Sequence, residues 1–303
     1  MKYTWKSALE KEITIKKFLT AKKVSHRILA QIKHGEGKIL LNGQQAVLNQ
    51  IVSGLCEVTL WLPPENNSVV PLENGQLRVL FEDMNWLVVD KPAGITSVPG
   101  PSNRTTTLVN RVKGYLIKNG AQDSVPHLIT RLDRDTSGIV LIAKHRFAQG
   151  MINKQVEEHQ IDKKYLAVIK GCPEKLHAVI DAPIGRVGQE IKRCVTSQGQ
   201  SARTEYWVLA SSSKASLLEV KLHTGRTHQI RVHLDSLGYP LFGDELYGGV
   251  LDAGIDRQAL HSFKLTYTDP FTLQEKKVLA PMPADMRCLC SKLGLKIQKL
   301  GKN

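Results

Sequence analysis

The apolar runs of this chain are short, and they do not alternate regularly with helical patterns. WLVVD at 86–90 reads as a buried strand, and IVLIAK and KYLAVIKG read as further strands. LLEVKLH at 217–223 sets Leu218, Val220 and Leu222 against Glu219, Lys221 and His223, the alternation of a half-buried strand. The period then switches. In HQIRVHLDSLG, Ile230, Leu234 and Leu237 recur at helical spacing, which predicts a helix over 227–237 that Gly238 can end. Strands that come in irregular runs predict an α+β fold with a mixed, largely antiparallel sheet rather than a doubly wound one.

A smaller unit precedes this domain. Ile15, Phe18 and Leu19 share one helical face, and Ile28, Leu29 and Ile32 share another, with Ser25 placed to cap it. KILLNGQQAVL predicts a hairpin turning at Asn42-Gly43. Lys16, Lys17, Lys22, Lys23, Arg27, Lys33 and Lys38 gather here with few acids, either as a solubilising face or as a phosphate-contacting one. PPENNS at 63–68 reads as a linker. The expected division is therefore a small α/β unit at 1–70, a larger domain at 71–290 and a basic tail at 291–303. The tail carries Lys292, Lys296, Lys299 and Lys302, as a phosphate-contacting arm or a frayed end.

Composition narrows the partners. The net charge of +14 over 303 residues favours a polyanion, usually nucleic acid and sometimes an anionic membrane. No apolar run is long enough to span a bilayer, and the first seventeen residues lack the apolar stretch of a secretory leader, so a cytoplasmic location is expected. Five scattered cysteines without a Cys-x-x-Cys pair suggest neither a disulfide framework nor a zinc site. Phosphate-loop, dinucleotide and zinc-peptidase motifs are absent. His228 and His233, five apart on a helix, point about 140° away from each other and cannot share an ion.

The chemistry concentrates in ITRLDRDTSGIVLIAK at 129–144. Asp133 and Asp135 stand among Arg131 and Arg134 just before an apolar strand. A carboxylate held ionised by an arginine can serve as a nucleophile or base. The same residues can equally form a surface loop of weak ion pairs.

Six segments decide how to read that loop. EDMNWLVVDKPAG, RLDRDTSGIVLIAK, KKYLAVIKG, HTGRTHQIRVHLDSLGYPLFGDELYG, ALHSFKLTYTDPFT and APMPADM follow one another in this order. Over about residues 75–290 the sequence resembles the RluA-type RNA pseudouridine synthases, and VSHRILAQIKHGEGKILLNG is similar to the small S-four-type RNA-binding domain. The resemblance implies isomerisation of uridine to pseudouridine in ribosomal or transfer RNA, without cofactor or metal, by a chain expected to be a monomer. It implies that Asp133 is the catalytic aspartate, that Tyr165 packs on the uracil and can relay its C5 proton, and that Arg226 pairs with Asp133. The expected RNA-contacting residues are Arg131, Arg134, Thr136, Lys164, Gln229 and Arg231, with Lys22, Lys23 and Arg27 on the N-terminal unit. Thr130 stands where the family commonly has histidine, and Val98-Pro99 where it often has His-Pro. The alternative is an RNA-binding or ribosome-assembly factor on the same fold that has lost turnover. A basic hydrolase using both aspartates and a metal is a third reading.

Overall fold

In Lys2–Thr14, strand β1, Tyr3, Trp5, Ser7 and Leu9 are half-buried while the residues between them are exposed. This alternation makes one side of a sheet, and the sequence reading did not assign it. The computed structural model describes residues 1–66, 69–186, 188, 190–251 and 253–296. Two calls fall partly elsewhere: the end of the PPENNS linker, and the tail lysines Lys299 and Lys302, lie outside the described residues.

Thr14 caps α1 (Ile15–Ala21) by accepting from the Lys17 N–H, and Ser25 caps α2 (His26–Lys33) by accepting from Ile28. Strands β2 (Lys38–Leu41) and β3 (Gln44–Ala46) form the expected hairpin. Asn42 and Gly43 both take positive φ, 51° and 85°, as a two-residue hairpin turn of this hand requires. Strand β4 (Ile51–Trp61) pairs antiparallel with β1 and β2 to complete a four-stranded sheet. Its core of Ile15, Phe18, Leu19, Ile28, Val58 and Leu60 is not closed within the first seventy residues. Phe147 and Met151 from a later helix belong to it. Tyr3 reaches the same helix start, with its ring 4.3 Å from Phe147 and its hydroxyl 3.1 Å from His145 Nε2.

The second sheet has ten strands. In chain order its elements and their neighbours are β5 (Arg78–Glu82), β6 (Trp86–Lys91), α3 (Leu108–Lys118), β7 (His127–Leu128), β8 (Ser137–Ala143), α4 (Arg146–Glu157), β9 (Asp162–Lys170) and β10 (His177–Asp181). A two-stranded arm follows, β11 (Ile184–Arg186) and β12 (Arg193–Val195). Then come β13 (Arg203–Ser211), β14 (Ala215–Leu222), α5 (Gln229–Ser236), a 3-10 turn at Glu245–Tyr247, β15 (Leu260–Thr268), β16 (Glu275–Leu279) and α6 (Ala284–Lys292). The strand order is β10-β13-β14-β9-β15-β8-β6-β5, with β16 beside β15 and β7 beside β8. Every described pairing is antiparallel except β15 with β8, where only His261↔Ser137 and Ser262↔Gly138 meet. This is the mixed, largely antiparallel α+β sheet expected.

Both faces of the sheet are covered, which is why its central strands read as continuous apolar runs. All seven residues of β8 are buried. Val140, Ile142, Tyr165, Ala167 and Val220 pack with α3 and α5 on one face. Leu166, Val168 and Leu217 meet α6, and Leu141 and Val88 meet α4, on the other. Each such Val or Leu side chain removed from water contributes roughly 1.5–3 kcal/mol. Gly138 is required at the seam. Its φ is +114°, and a Cβ there would lie 2.2 Å from the Ser262 carbonyl oxygen. Among the described residues no helix is long and apolar enough to cross a membrane.

Candidate active site

The mouth of β8 is built by two loops, 91–97 and 131–136, which are bolted together from beneath. Lys91 is fully buried, and its ammonium donates to the carbonyls of Pro92, Ile95 and Arg134 at 2.9, 2.8 and 2.9 Å. Burial pulls its pKa down to about 7, and the charges of Asp135 and Asp133 oppose that pull. Ser97 Oγ donates to the Leu132 carbonyl at 2.6 Å and accepts from the Leu132 N–H at 3.1 Å. Thr130 Oγ1 accepts from the Leu141 N–H, tying the loop's start to β8. Asp135 is gripped by Arg134 Nε, 3.1 Å from both of its oxygens, and its carbonyl accepts from Arg257. With its neighbours so engaged, the side chain of Asp133 is the one directed at the cleft.

Asp133 Oδ2 lies 3.6 Å from Arg231 Nη1 and 4.0 Å from His228 Nε2. Arg231 sits in α5, only 8% exposed, and is clamped bidentately by the buried Asp244: Nε to Oδ2 and Nη2 to Oδ1, each 2.7 Å. Its guanidinium also lies 4.8 Å from the Tyr247 ring centre. Burial works against the Arg231 charge, but the Asp244 hydrogen bonds, with the charges of Asp244 and Asp133, outweigh it and hold the cation.

The Tyr247 hydroxyl accepts from the Arg193 N–H at 2.9 Å and lies 3.0 Å from His228 Nδ1, a hydrogen bond whose direction depends on the His228 tautomer. The other ring nitrogen, Nε2, faces Asp133. Burial depresses the His228 pKa, and the Asp133 charge resists the fall. Tyr165, on β9, is buried with its phenol raised well above the usual range, by burial first and by the Asp133 charge second. The site is thus a carboxylate flanked by one permanent cation, one imidazole and one neutral phenol.

Several expectations need correction. The Arg226–Asp133 pair is not formed. Arg226 Nε donates to the Ser201 carbonyl at 3.0 Å, and Arg231 takes the place beside Asp133. The physical reason is the turn before α5: His228 adopts φ 58°, and the helix begins at Gln229, two residues later than the periodicity suggests. Gln229 is buried, not presented to RNA. Its Oε1 accepts from Thr224 and the Arg226 N–H, and its Nε2 donates to the Arg203 carbonyl and Thr204. Lys164 points to the sheet face opposite Tyr165, paired with Glu219 at 2.6 Å and lying over Trp207. Thr136 is buried against Gln258.

Arg131 and Arg134 are exposed on the loop, and Lys23 and Arg27 are exposed on the N-terminal unit. Lys22 lies over the Phe18 ring there. Lys91, Ser97, Asp244 and Tyr247 were not singled out from sequence, and His228 was weighed there only as a metal ligand. His223 and His177 share Glu205, and His233 contacts Thr204 and the Ala182 carbonyl. The described residues contain no group of three or more His, Cys, Asp or Glu able to hold a metal ion.

A family profile described as RNA pseudouridylate synthase matches residues 85–236, from the β6 strand to the end of α5, and so takes in Asp133, Tyr165, His228 and Arg231. The chain belongs to the RNA pseudouridine synthase family. The enzyme is similar to a Bacillus subtilis (strain 168) protein named uncharacterized RNA pseudouridine synthase YjbO, 37% identical over 276 residues, which covers 90% of this chain and 97% of that one. It is similar to ribosomal large subunit pseudouridine synthase D of Nitrosomonas europaea, 40% identical over 237 residues, covering 74% of this chain and 67% of that protein. Among solved structures, human RNA pseudouridylate synthase domain containing 1 superposes with a TM-score of 0.61 at 26% identity, covering 76% and 94% of the two chains. The enzyme is an isomerase that converts uridine in RNA to pseudouridine.

Proposed function

We propose that Asp133 is the reacting carboxylate, and that the substrate is a uridine of large-subunit ribosomal RNA. The observation that carries the first part is the Asp133–Arg231 contact, with Arg231 locked by Asp244 beside Tyr165. In the reaction the N1–C1′ bond breaks, C5 bonds to C1′, the C5 proton leaves and N1 gains one, so the composition is unchanged. Asp133 attacks C1′ or C6, or removes a ribose proton. Each route uses the Asp133 carboxylate, beside which the Arg231 cation stands at 3.6 Å. Tyr165 is neutral at working pH. Its ring offers a platform for uracil, and its phenol can pass a proton on but is no standing base. The uridine must leave its stack, at a cost of a few kcal/mol that stacking and phosphate contacts offset.

The ribosomal target is supported by the Nitrosomonas relative's name. The exposed Lys16, Lys17, Lys23 and Arg27 on the N-terminal unit supply further RNA contact, residues 1–70 forming the RNA-binding part and 71–290 the catalytic part. In this reading the enzyme acts as a monomer in the cytoplasm.

The test maps pseudouridine at single-nucleotide resolution in cells with the enzyme, without it, and with Asp133→Asn. A site lost in both altered strains, with the variant protein still folded, is the expected result. Asp133 makes no side-chain contact shorter than 3.6 Å to a charged partner, so the substitution should change stability by less than about 1 kcal/mol. Retained modification in the Asp133→Asn strain would exclude this carboxylate. No lost site in either strain would favour an RNA-binding or assembly role.

A further inference from the structure

Two adjacent lysines on β9 have opposite surroundings. Lys164 is neutralised by Glu219, and on that same sheet face Asp162 pairs with Lys221 at 3.1 Å. Lys163 points to the other face, with Tyr165. Among the described residues it has no ion pair and no hydrogen bond to another side chain. Burial alone lowers its pKa, with no carboxylate to resist. An ammonium kept half out of water without a partner is unfavourable, and an arriving anion would relieve that cost.

Lys163 lines a small pocket open to solvent together with Ile129, Thr130, Leu222, His223 and Thr224. Thr130 Oγ1 accepts from the Leu141 N–H and so keeps its own proton to donate. Ile129 and Leu222 give an apolar wall of the kind a ribose or base edge packs on. Glu205, the carboxylate that contacts the pocket residue His223, is already shared by His177 and His223 at 2.8 Å. The pocket adjoins the reacting groups through the chain itself: Thr130 is three residues before Asp133. Lys163 is two before Tyr165, about 7 Å along the strand.

We propose that Lys163, with Thr130, holds a backbone phosphate of the nucleotide next to the target uridine. This rests on the reading of the cleft as the RNA site, and it carries the neighbouring nucleotide to the Lys163 end of β9. The test measures binding of a fluorescein-labelled ten-nucleotide oligouridylate between 50 and 300 mM KCl, in an Asp133→Asn background so that no turnover intervenes. Lys163→Met should lose one phosphate contact and flatten the log–log salt slope by about 0.7, so that the parent's advantage shrinks about 3.5-fold across this range. Lys163→Arg should restore the slope, and Lys164→Met should leave it unchanged. An unchanged slope in Lys163→Met, or an equal loss in Lys164→Met, overturns the site while leaving the RNA reading intact. No salt-dependent binding by the parent protein overturns both.

Discussion

Arg231 and Asp244 form a buried pair whose structural and chemical roles can be separated. Replacing Arg231 with Met keeps most of the side-chain volume and the contact with Tyr247. It leaves Asp244, 1% exposed, as a carboxylate without its two 2.7 Å partners. Breaking one side of such a pair costs about 3–5 kcal/mol, because the remaining charge stays buried and uncompensated. With a urea dependence of about 2–3 kcal/mol per molar, the unfolding midpoint should fall by roughly 1–2.5 M. Adding Asp244→Leu removes the stranded charge. Replacing both members by apolar residues of similar size is often neutral or stabilising, so the double variant should recover most of the lost midpoint. It should not recover pseudouridine formation, because Asp133 still lacks its cation. The assays are urea unfolding followed by intrinsic fluorescence, and pseudouridine mapping on RNA treated with each purified protein. A double variant with substantial turnover would refute the assignment of Arg231 as a group the reaction at Asp133 needs, and a stable single variant would refute the cost of stranding Asp244.

Gly138→Ala places a methyl group 2.2 Å from the Ser262 carbonyl oxygen at a φ of +114°. It should cost about 3 kcal/mol or more, read as a lowered thermal midpoint or insolubility, and Ser262→Ala should not rescue it, since the clash is with backbone. Burial first, with neighbouring charges, lowers His145 and His261 to pKa values of about 4. An unfolded histidine takes its proton near 6.5. Between these values the unfolded chain binds more protons, so stability is full above pH 6.5 and falls as pH drops toward 4, by at most about 3 kcal/mol per histidine. His145→Asn keeps the α4 cap that Nδ1 now provides to the Ala148 N–H, and should flatten this acid limb in pH-dependent urea unfolding.

What the sequence disclosed was what is local. The Asn42-Gly43 turn, the Ser25 cap and the central strands follow from residues next to one another, and so does a charged loop feeding β8. The partner of Asp133 was misread because it depends on a single backbone torsion. A left-handed His228 turns Arg226 back toward Ser201 and lets Arg231 face the cleft. Gln229 and Lys164 looked polar and near the motifs, but which face they occupy is set by the register of β9 on β14 and by the start of α5. Lys91 and Asp244 had no pattern to betray them. One reaches 43 residues along the chain to Arg134, the other 13 back to Arg231, and only tertiary contact gives either a role. Strand β1 was visible as an alternation of Tyr3, Trp5, Ser7 and Leu9, but its small and polar members masked the period.

The single parallel contact in the large sheet divides the catalytic apparatus. Asp133 and its supporting loop belong to the block β5-β6-β8. Tyr165, His228, Arg231 and Asp244 belong to the block built on β9, β13, β14 and β15. Two residue pairs of ladder, His261↔Ser137 and Ser262↔Gly138, stitch those blocks edge to edge. The reacting group and the groups that tune it are therefore mounted on opposite jaws of a vice. The core that Val140 and Ile142 share with Tyr165 and Ala167 is the screw of that vice: it sets how far the reacting carboxylate stands from the groups around it.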